Sequence, residues 1–202
     1  NNLGAFGSDL TALAHLFERI WSLPSKIMIK PAQIFVLSSS GFVLSGIGRL
    51  LEAEEPMKAG LAEYLKDENW ENAAQAATNL SELHLILGHL SESIRYGRQG
   101  VELADKTWDS FLKETSRAAL ADALNQSGYL KEAATCFEEA EALMQKNQPD
   151  FKFLYSLQGF QYCDLLLELK KWLVVLERAK ESIKITTKNN LLVQIALDHL
   201  SL

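Results

Sequence analysis

The sequence predicts an all-α fold, a stack of antiparallel helix pairs with a repeat period of about 40 residues. Matching short turns carry this reading: Ile47-Gly48-Arg49-Leu50, Leu87-Gly88-His89-Leu90 and Ser127-Gly128-Tyr129-Leu130 place three glycines at equal intervals, at positions 48, 88 and 128. A fourth turn, Leu169-Lys170-Lys171-Trp172, follows at nearly the same interval with Lys170 in the glycine's place. On either side of each turn, apolar residues recur at three- and four-residue spacing, the mark of amphipathic helices. No sustained alternation of β-branched residues occurs, so strands are not expected.

Taken in order, the elements begin with a stretch unlike the rest. Ser8-Asp9 is placed to cap a helix running to about Trp21, with Leu10, Leu13, Phe17 and Ile20 on one face. Pro24 and Pro31 bracket a loop over 22–30. Residues 1–32 therefore read as a cap packed over the first repeat, or as the end of an upstream one. The stack proper spans 33–202. Its helix pairs are expected at 33–47 with 51–66, 70–87 with 90–105, 108–127 with 130–146, and 151–169 with 172–187. Pro56 falls early in its helix and predicts a mild kink. A half-repeat over 190–202 ends the chain inside an apolar run, which reads as a piece of a longer protein. Its face, through Leu192, Ile195 or Leu200, is expected to mediate self-association.

Small residues fall in register with the turns. Seven before the turn residue stand Gly41, Ser81, Ala121 and Cys163; five after, Ala53, Ser93, Ala133 and Val175; twelve after, Gly60, Gly100, Ala140 and Ser182. Eleven of these twelve are Gly, Ala, Ser or Cys, whereas those types make up 51 of 202 residues and would supply about three of twelve by chance. Small side chains at these points let two antiparallel helices approach and interlock. The pattern resembles the tetratricopeptide-repeat family, which implies a right-handed superhelical α-solenoid. The period is longer than the roughly 34 residues of that family, and longer helices account for the difference. Trp70-Glu71-Asn72-Ala73-Ala74, Leu120-Ala121-Asp122-Ala123-Leu124 and Gly4-Ala5-Phe6-Gly7-Ser8-Asp9-Leu10 look more narrowly like repeat arrays of large bacterial multidomain proteins. In those, an NTPase of the signal-transduction type often precedes the array.

The family resemblance places a binding groove on the first helix of each pair, at positions thirteen, ten, nine, six and three before the turn residue. Six before gives Phe42, Glu82, Asp122 and Asp164, so three successive repeats carry a carboxylate at one place. Asn79 and Asn125 stand nearby and could hydrogen-bond a peptide backbone. The set reads as a groove for a basic or amide-rich segment; three solvated acids on a polar helix face is the alternative. Phe160 is a candidate aromatic anchor, while Phe35 and Phe42 are expected to be covered by residues 8–30. The carboxylate clamp of the family needs a cation thirteen or nine before the turn. Phe35, Ser39, Gln75, Asn79, Thr115, Ala119, Leu157 and Gln161 stand there instead, so no clamp is expected.

Enzymatic signals are thin. No GxxxxGK[ST] or GxGxxG occurs. His84 and His89 are five apart and read as a helix-surface and a turn histidine. Cys136 and Cys163 form no CxxC pair or metal framework and fit a reducing, cytoplasmic compartment. No cofactor and no metal are expected. A net charge of −6 argues against nucleic acid, and no apolar run reaches the roughly 18 residues of a membrane span. The expected function is non-catalytic: an interaction scaffold or sensor that binds a protein or peptide, such as a basic segment. The alternative is an intramolecular element that regulates an upstream NTPase of the same chain.

Overall fold

The computed structural model describes residues 3–188 together with 196, 197, 199 and 200. Helix α1 covers Leu3–Ala14, and a short hairpin follows from β1 (Phe17–Arg19) and β2 (Leu23–Pro24). The helical series is then α2 (Lys30–Gly46), α3 (Leu50–Lys66), α4 (Trp70–Ile86), α5 (Leu90–Asp105), α6 (Ser110–Gln126), α7 (Leu130–Asn147), α8 (Ser156–Glu168) and α9 (Trp172–Lys188). The contacts divide the chain into two compact units, Asn1–Lys106 and Thr107–Leu202. In the first, α2 pairs with α3 and α4 with α5, and α3 packs on α4. In the second, α6 pairs with α7 and α8 with α9, and α8 packs against both α6 and α7.

The turn glycines explain the sharp helix ends. Gly48, Gly88 and Gly128 take φ of 82°, 75° and 80°, and Lys170 takes 58° in the same place. Each turn closes with one further bond from the next amide back to the last turn of the helix: Arg49 to Leu44, His89 to His84, Tyr129 to Leu124 and Lys171 to Leu166, at 2.8–2.9 Å. This is the helix-terminating arrangement that left-handed backbone allows and that glycine adopts without steric cost. Lys170 is exposed, so its side chain offers little to offset the strain. Lys170→Gly is expected to raise the unfolding free energy by roughly 0.5–1 kcal/mol, read from the urea midpoint.

All twelve residues at the three small-residue positions are buried. A Cβ on Gly60 would lie 2.9 Å from the Ser38 hydroxyl, and one on Gly100 2.9 Å from that of Thr78. At the α4–α5 crossing, Ser81 and Ser93 each donate a hydroxyl to the other's carbonyl at 2.8 Å. The close approach at this crossing is thus secured by hydrogen bonds as well as by contact. Large side chains fill the space between, with Leu44, Leu80, Leu124, Phe137 and Leu165 fully buried.

Three expectations need correction. Strands do form, since Phe17 pairs with Pro24 and Arg19 with Leu23. The first helix begins before Ser8 and stops at Ala14, well short of Trp21. Its end is set by Trp21, which takes φ 63° at the hairpin bend, is buried, and stacks edge-on against Phe17 at 5.4 Å. Burying this indole while keeping residues 15–21 helical would need a different path. The eighth helix starts at Ser156, not 151, because 151–155 is a bent, non-helical segment tied to α7: Leu154 N–H donates to Glu141 at 2.9 Å and Gln145 donates to the Lys152 carbonyl at 2.6 Å. Pro56 lies inside α3 and is buried. Leu192 and Ile195 of the expected half-repeat lie outside the described residues, while Leu200 is exposed.

Candidate functional site

Within the first unit, a cavity of about 670 Å³ opens on the face of α2 and α4. Its lining from these helices includes Phe35, Ser38, Ser39 and Phe42 on α2, and Gln75 and Asn79 on α4. Spacing by three, one and three residues puts such positions on one side of a helix. They are the positions that the family resemblance assigns to a groove. Tyr64 of α3 and Asp9, Ala12 and Leu13 of α1 complete the border. The Ser38 hydroxyl donates to the Tyr64 oxygen at 3.0 Å, and Gln75 Nε2 donates to Asn79 Oδ1 at 2.8 Å. Asn79 is half-buried at the cavity, and Glu82 is exposed one turn further along α4.

The two phenylalanines are not covered. Phe35 is 66% and Phe42 59% exposed, although residues 8–30 were expected to hide them. Helix α1 borders the cavity without closing it. Beyond Ala14 the chain departs toward α3, where Trp21 lies close to Glu52 and Arg19 lies 3.9 Å from Glu55.

His84 is a second correction. It is buried, not on the helix surface, and its ring stacks on Tyr96 at 5.2 Å and 6°. The signal was available in the repeat: four before the turn residue stand Leu44, His84, Leu124 and Leu166, a core position in each pair. Burial holds the His84 pKa below its ordinary value, against the opposing charge of Glu54 3.8 Å from Nε2. Its Nδ1 lies 3.4 Å from Nδ1 of His89.

In the second unit, amides bridge α6 and α8 at the carboxylate positions. Gln161 Nε2 donates to Asp122 Oδ2 at 2.8 Å; Asn125 Nδ2 and Gln126 Nε2 donate to Asp164 Oδ2 at 3.2 and 3.3 Å. Asp122 and Asp164 thus come together around a shared amide set, while Glu82 belongs to the other unit. Burial first, and the charge of Asp164 after it, push the Asp122 carboxyl up, against hydrogen bonds from Gln126 and Gln161. Asn125 is itself buried, with Oδ1 lacking a hydrogen-bond partner.

Phe160 is half-buried and borders a small cavity with Leu154, Arg178 and Ser182 between α8 and α9. Its register is the one at which Ser38 and Thr78 meet Gly60 and Gly100, so it stands at the crossing of a helix pair. Beside it is a cluster that sequence reasoning missed. Arg178 donates through Nη1 and Nη2 to Glu141 Oε2 at 2.6 and 2.5 Å, and its guanidinium lies over the rings of Tyr162 at 4.2 Å and Phe153 at 4.6 Å. An arginine eight after the turn residue, where Pro56 and Tyr96 are buried in other pairs, was the available hint.

Among the described residues, no group of three or more His, Cys, Asp or Glu side chains could hold a metal ion. No described helix is long and apolar enough to cross a membrane. Cys136 and Cys163 are not joined in a disulfide, and the second is buried.

No family model and no curated protein sequence matches the chain. Solved structures do. The apo form of RapI superposes with a TM-score of 0.71 at 10% identity, over 93% of this chain and 64% of that one. A putative kinesin light chain from Podosopora anserina, described as having nearly identical TPR-like repeats, matches with a TM-score of 0.61 at 17% identity. A point variant of that protein gives 0.65 at 16%, and each match covers 93% of this chain and 86% of the other. The chain therefore has a tetratricopeptide-type repeat fold, an α-solenoid of antiparallel helix pairs. It spans just under two thirds of the RapI chain.

Proposed function

We propose that this chain is a non-catalytic protein-interaction module that takes a segment of another protein into the cavity of its first unit. The observation that carries the reading is the exposed Phe35–Phe42 pair on the groove face of α2, beside a cavity of about 670 Å³. Exposed aromatics gathered at a concavity, with a few polar groups to fix orientation, are the usual anatomy of a binding anchor. Asn79 and Gln75 supply amides for a partner's backbone. Glu82 on the same helix favours a basic residue in that segment, as does the net charge of −6. The carboxylates Asp122 and Asp164 accept hydrogen bonds from side-chain amides, and we assign them the same role toward a partner. Two cysteines without a disulfide fit the cytoplasm as its location.

Selection of displayed random peptides on the purified chain tests this. Enriched peptides are expected to share an apolar anchor and a Lys or Arg. Their affinity is expected to fall at least about tenfold for Phe42→Ser, the scale of one lost hot-spot side chain. It should fall further with added salt, and for Glu82→Lys. Peptides that bind the folded Phe42→Ser and Glu82→Lys chains as tightly as wild type would remove the cavity from consideration.

A further inference from the structure

We propose that α1 is a tethered occupant of the groove, docked beside the Phe35–Phe42 cavity and displaced when an amphipathic helix of a partner takes its place. The inference rests on the reading of that cavity as a binding site, and it names both what guards the site and the kind of segment that enters.

First, α1 has little helical stability of its own. It is 12 residues long, at the lower edge of what holds as an isolated helix even in alanine-rich sequence. It contains Gly4 and Gly7, and glycine is among the weakest helix formers. Packing does not require Gly7, because a Cβ there would meet nothing within 4 Å. Neither an acid in the first turn nor a base in the last complements the helix dipole. The helix therefore depends on its seat against α2, where Leu10 is buried and Leu13 half-buried.

Second, the hairpin after α1 is fastened independently of it. Trp21 is buried and lies close to Glu52 of α3, Arg19 lies 3.9 Å from Glu55 of the same helix, Phe17 packs on Trp21, and the Lys26 amide donates to Glu18 at 3.0 Å. Residues His15 and Leu16 join a weak helix to a fixed anchor. Such a joint lets α1 leave its seat while the hairpin stays attached, so that α1 remains close and its return is intramolecular.

Third, Asp9, Ala12 and Leu13 already form one wall of the cavity. Removing α1 would merge the cavity with the seat of Leu10 into one trough along α2. The occupant seen in that trough is a helix presenting apolar residues at i and i+3, Leu10 and Leu13. A partner that replaces it must bury the same surface and is therefore a helix of that pattern, with a further apolar side chain for the Phe35–Phe42 pair.

The test uses the full chain in three forms, wild type, Leu10→Asp and Gly7→Ala, with a fluorescent peptide of the α1 sequence, residues 3–15, as probe. Leu10→Asp unseats α1, and the probe is expected to bind that chain at least about tenfold more tightly than wild type. Gly7→Ala strengthens α1 and is expected to slow amide exchange in residues 8–14 about fivefold. In wild type those amides should exchange far faster than those of α2 at Val36–Leu44. Equal probe binding by wild type and a folded Leu10→Asp chain would overturn the proposal. So would absence of probe binding to the latter, or equal exchange of α1 and α2. Should Leu10→Asp fail to fold, the exchange comparison in wild type and Gly7→Ala decides alone. Display-selected peptides that bind wild type and Leu10→Asp equally would overturn this proposal and leave the cavity reading intact. If no selected peptide depends on Phe42 while Leu10→Asp still captures the probe, the α1 seat stands and the partner reading falls.

Discussion

Replacing Arg178 with alanine is expected to lower the unfolding free energy by on the order of 3 kcal/mol, because it leaves Glu141 charged and unpaired in a nearly dry site. Arg178 is 4% exposed and Glu141 17%. Burial pushes the Glu141 carboxyl up even with the guanidinium present, outweighing the pull of Arg178 and of the Leu154 amide. Desolvation is therefore the larger effect, and each ion tolerates its place only because of the other. Truncation also strips the planar group from between Tyr162 and Phe153, adding lost packing to the lost charge. The double variant Glu141→Gln/Arg178→Met is expected to recover more than half of the loss. Glutamine keeps an acceptor for the Leu154 N–H, and methionine replaces the buried stem. Urea unfolding of the three chains checks this; a single variant within about 1 kcal/mol of wild type would show the pair to be solvated in solution.

Gly159→Ala is expected to cost about 2–3 kcal/mol, at the upper end of what overpacking does. A Cβ at 159 would lie 2.4 Å from the Leu154 carbonyl oxygen and 2.9 Å from its carbon. Both are backbone atoms and cannot rotate away as a side chain would. Leu154 is itself held, since its amide donates to Glu141 and its side chain is buried. The segment 151–155 would have to lift from the start of α8. Gly41→Ala makes a useful comparison, because the nearest atom there is Met57 Cγ, also at 2.4 Å but on a flexible side chain. Thermal unfolding should rank Gly159→Ala as the more damaging, and the opposite order would mean that 151–155 yields easily.

How much of this was legible depended on the range of the interaction that decides it. The three turn glycines and Lys170 fixed the ends of four helix pairs to within a few residues, because helix termination is local chemistry of φ. The twelve small-residue positions were legible for a related reason: close approach recurs once per repeat, so register multiplies a weak signal. The cavity was half legible. Phe35, Ser39, Gln75 and Asn79 were placed on the groove side by the family resemblance once the turns had set the register, whereas its α1 wall depends on where α1 ends, which Trp21 decides from outside the helix. The hairpin left no trace because strands of three and two residues are too short to show alternation. Arg178 and Glu141 are 37 apart, and nothing in either neighbourhood announces the other. Phe160, ten before the turn residue, was expected to face the groove; it stands half-buried beside the small cavity between α8 and α9.

The reciprocal serine bonds at the α4–α5 crossing leave this repeat free to change over evolutionary time. Ser81 and Ser93 occupy slots that are alanine in the third pair, at Ala121 and Ala133, and a doubly alanine crossing is a stable arrangement there. Each hydroxyl donates to a carbonyl inside a helix, which the helical amide four residues on also supplies, so either serine can become alanine at the loss of one hydrogen bond, about 1 kcal/mol. The two losses are expected to add, and a lineage can pass from serine at both slots to alanine at both through either intermediate with no valley between them.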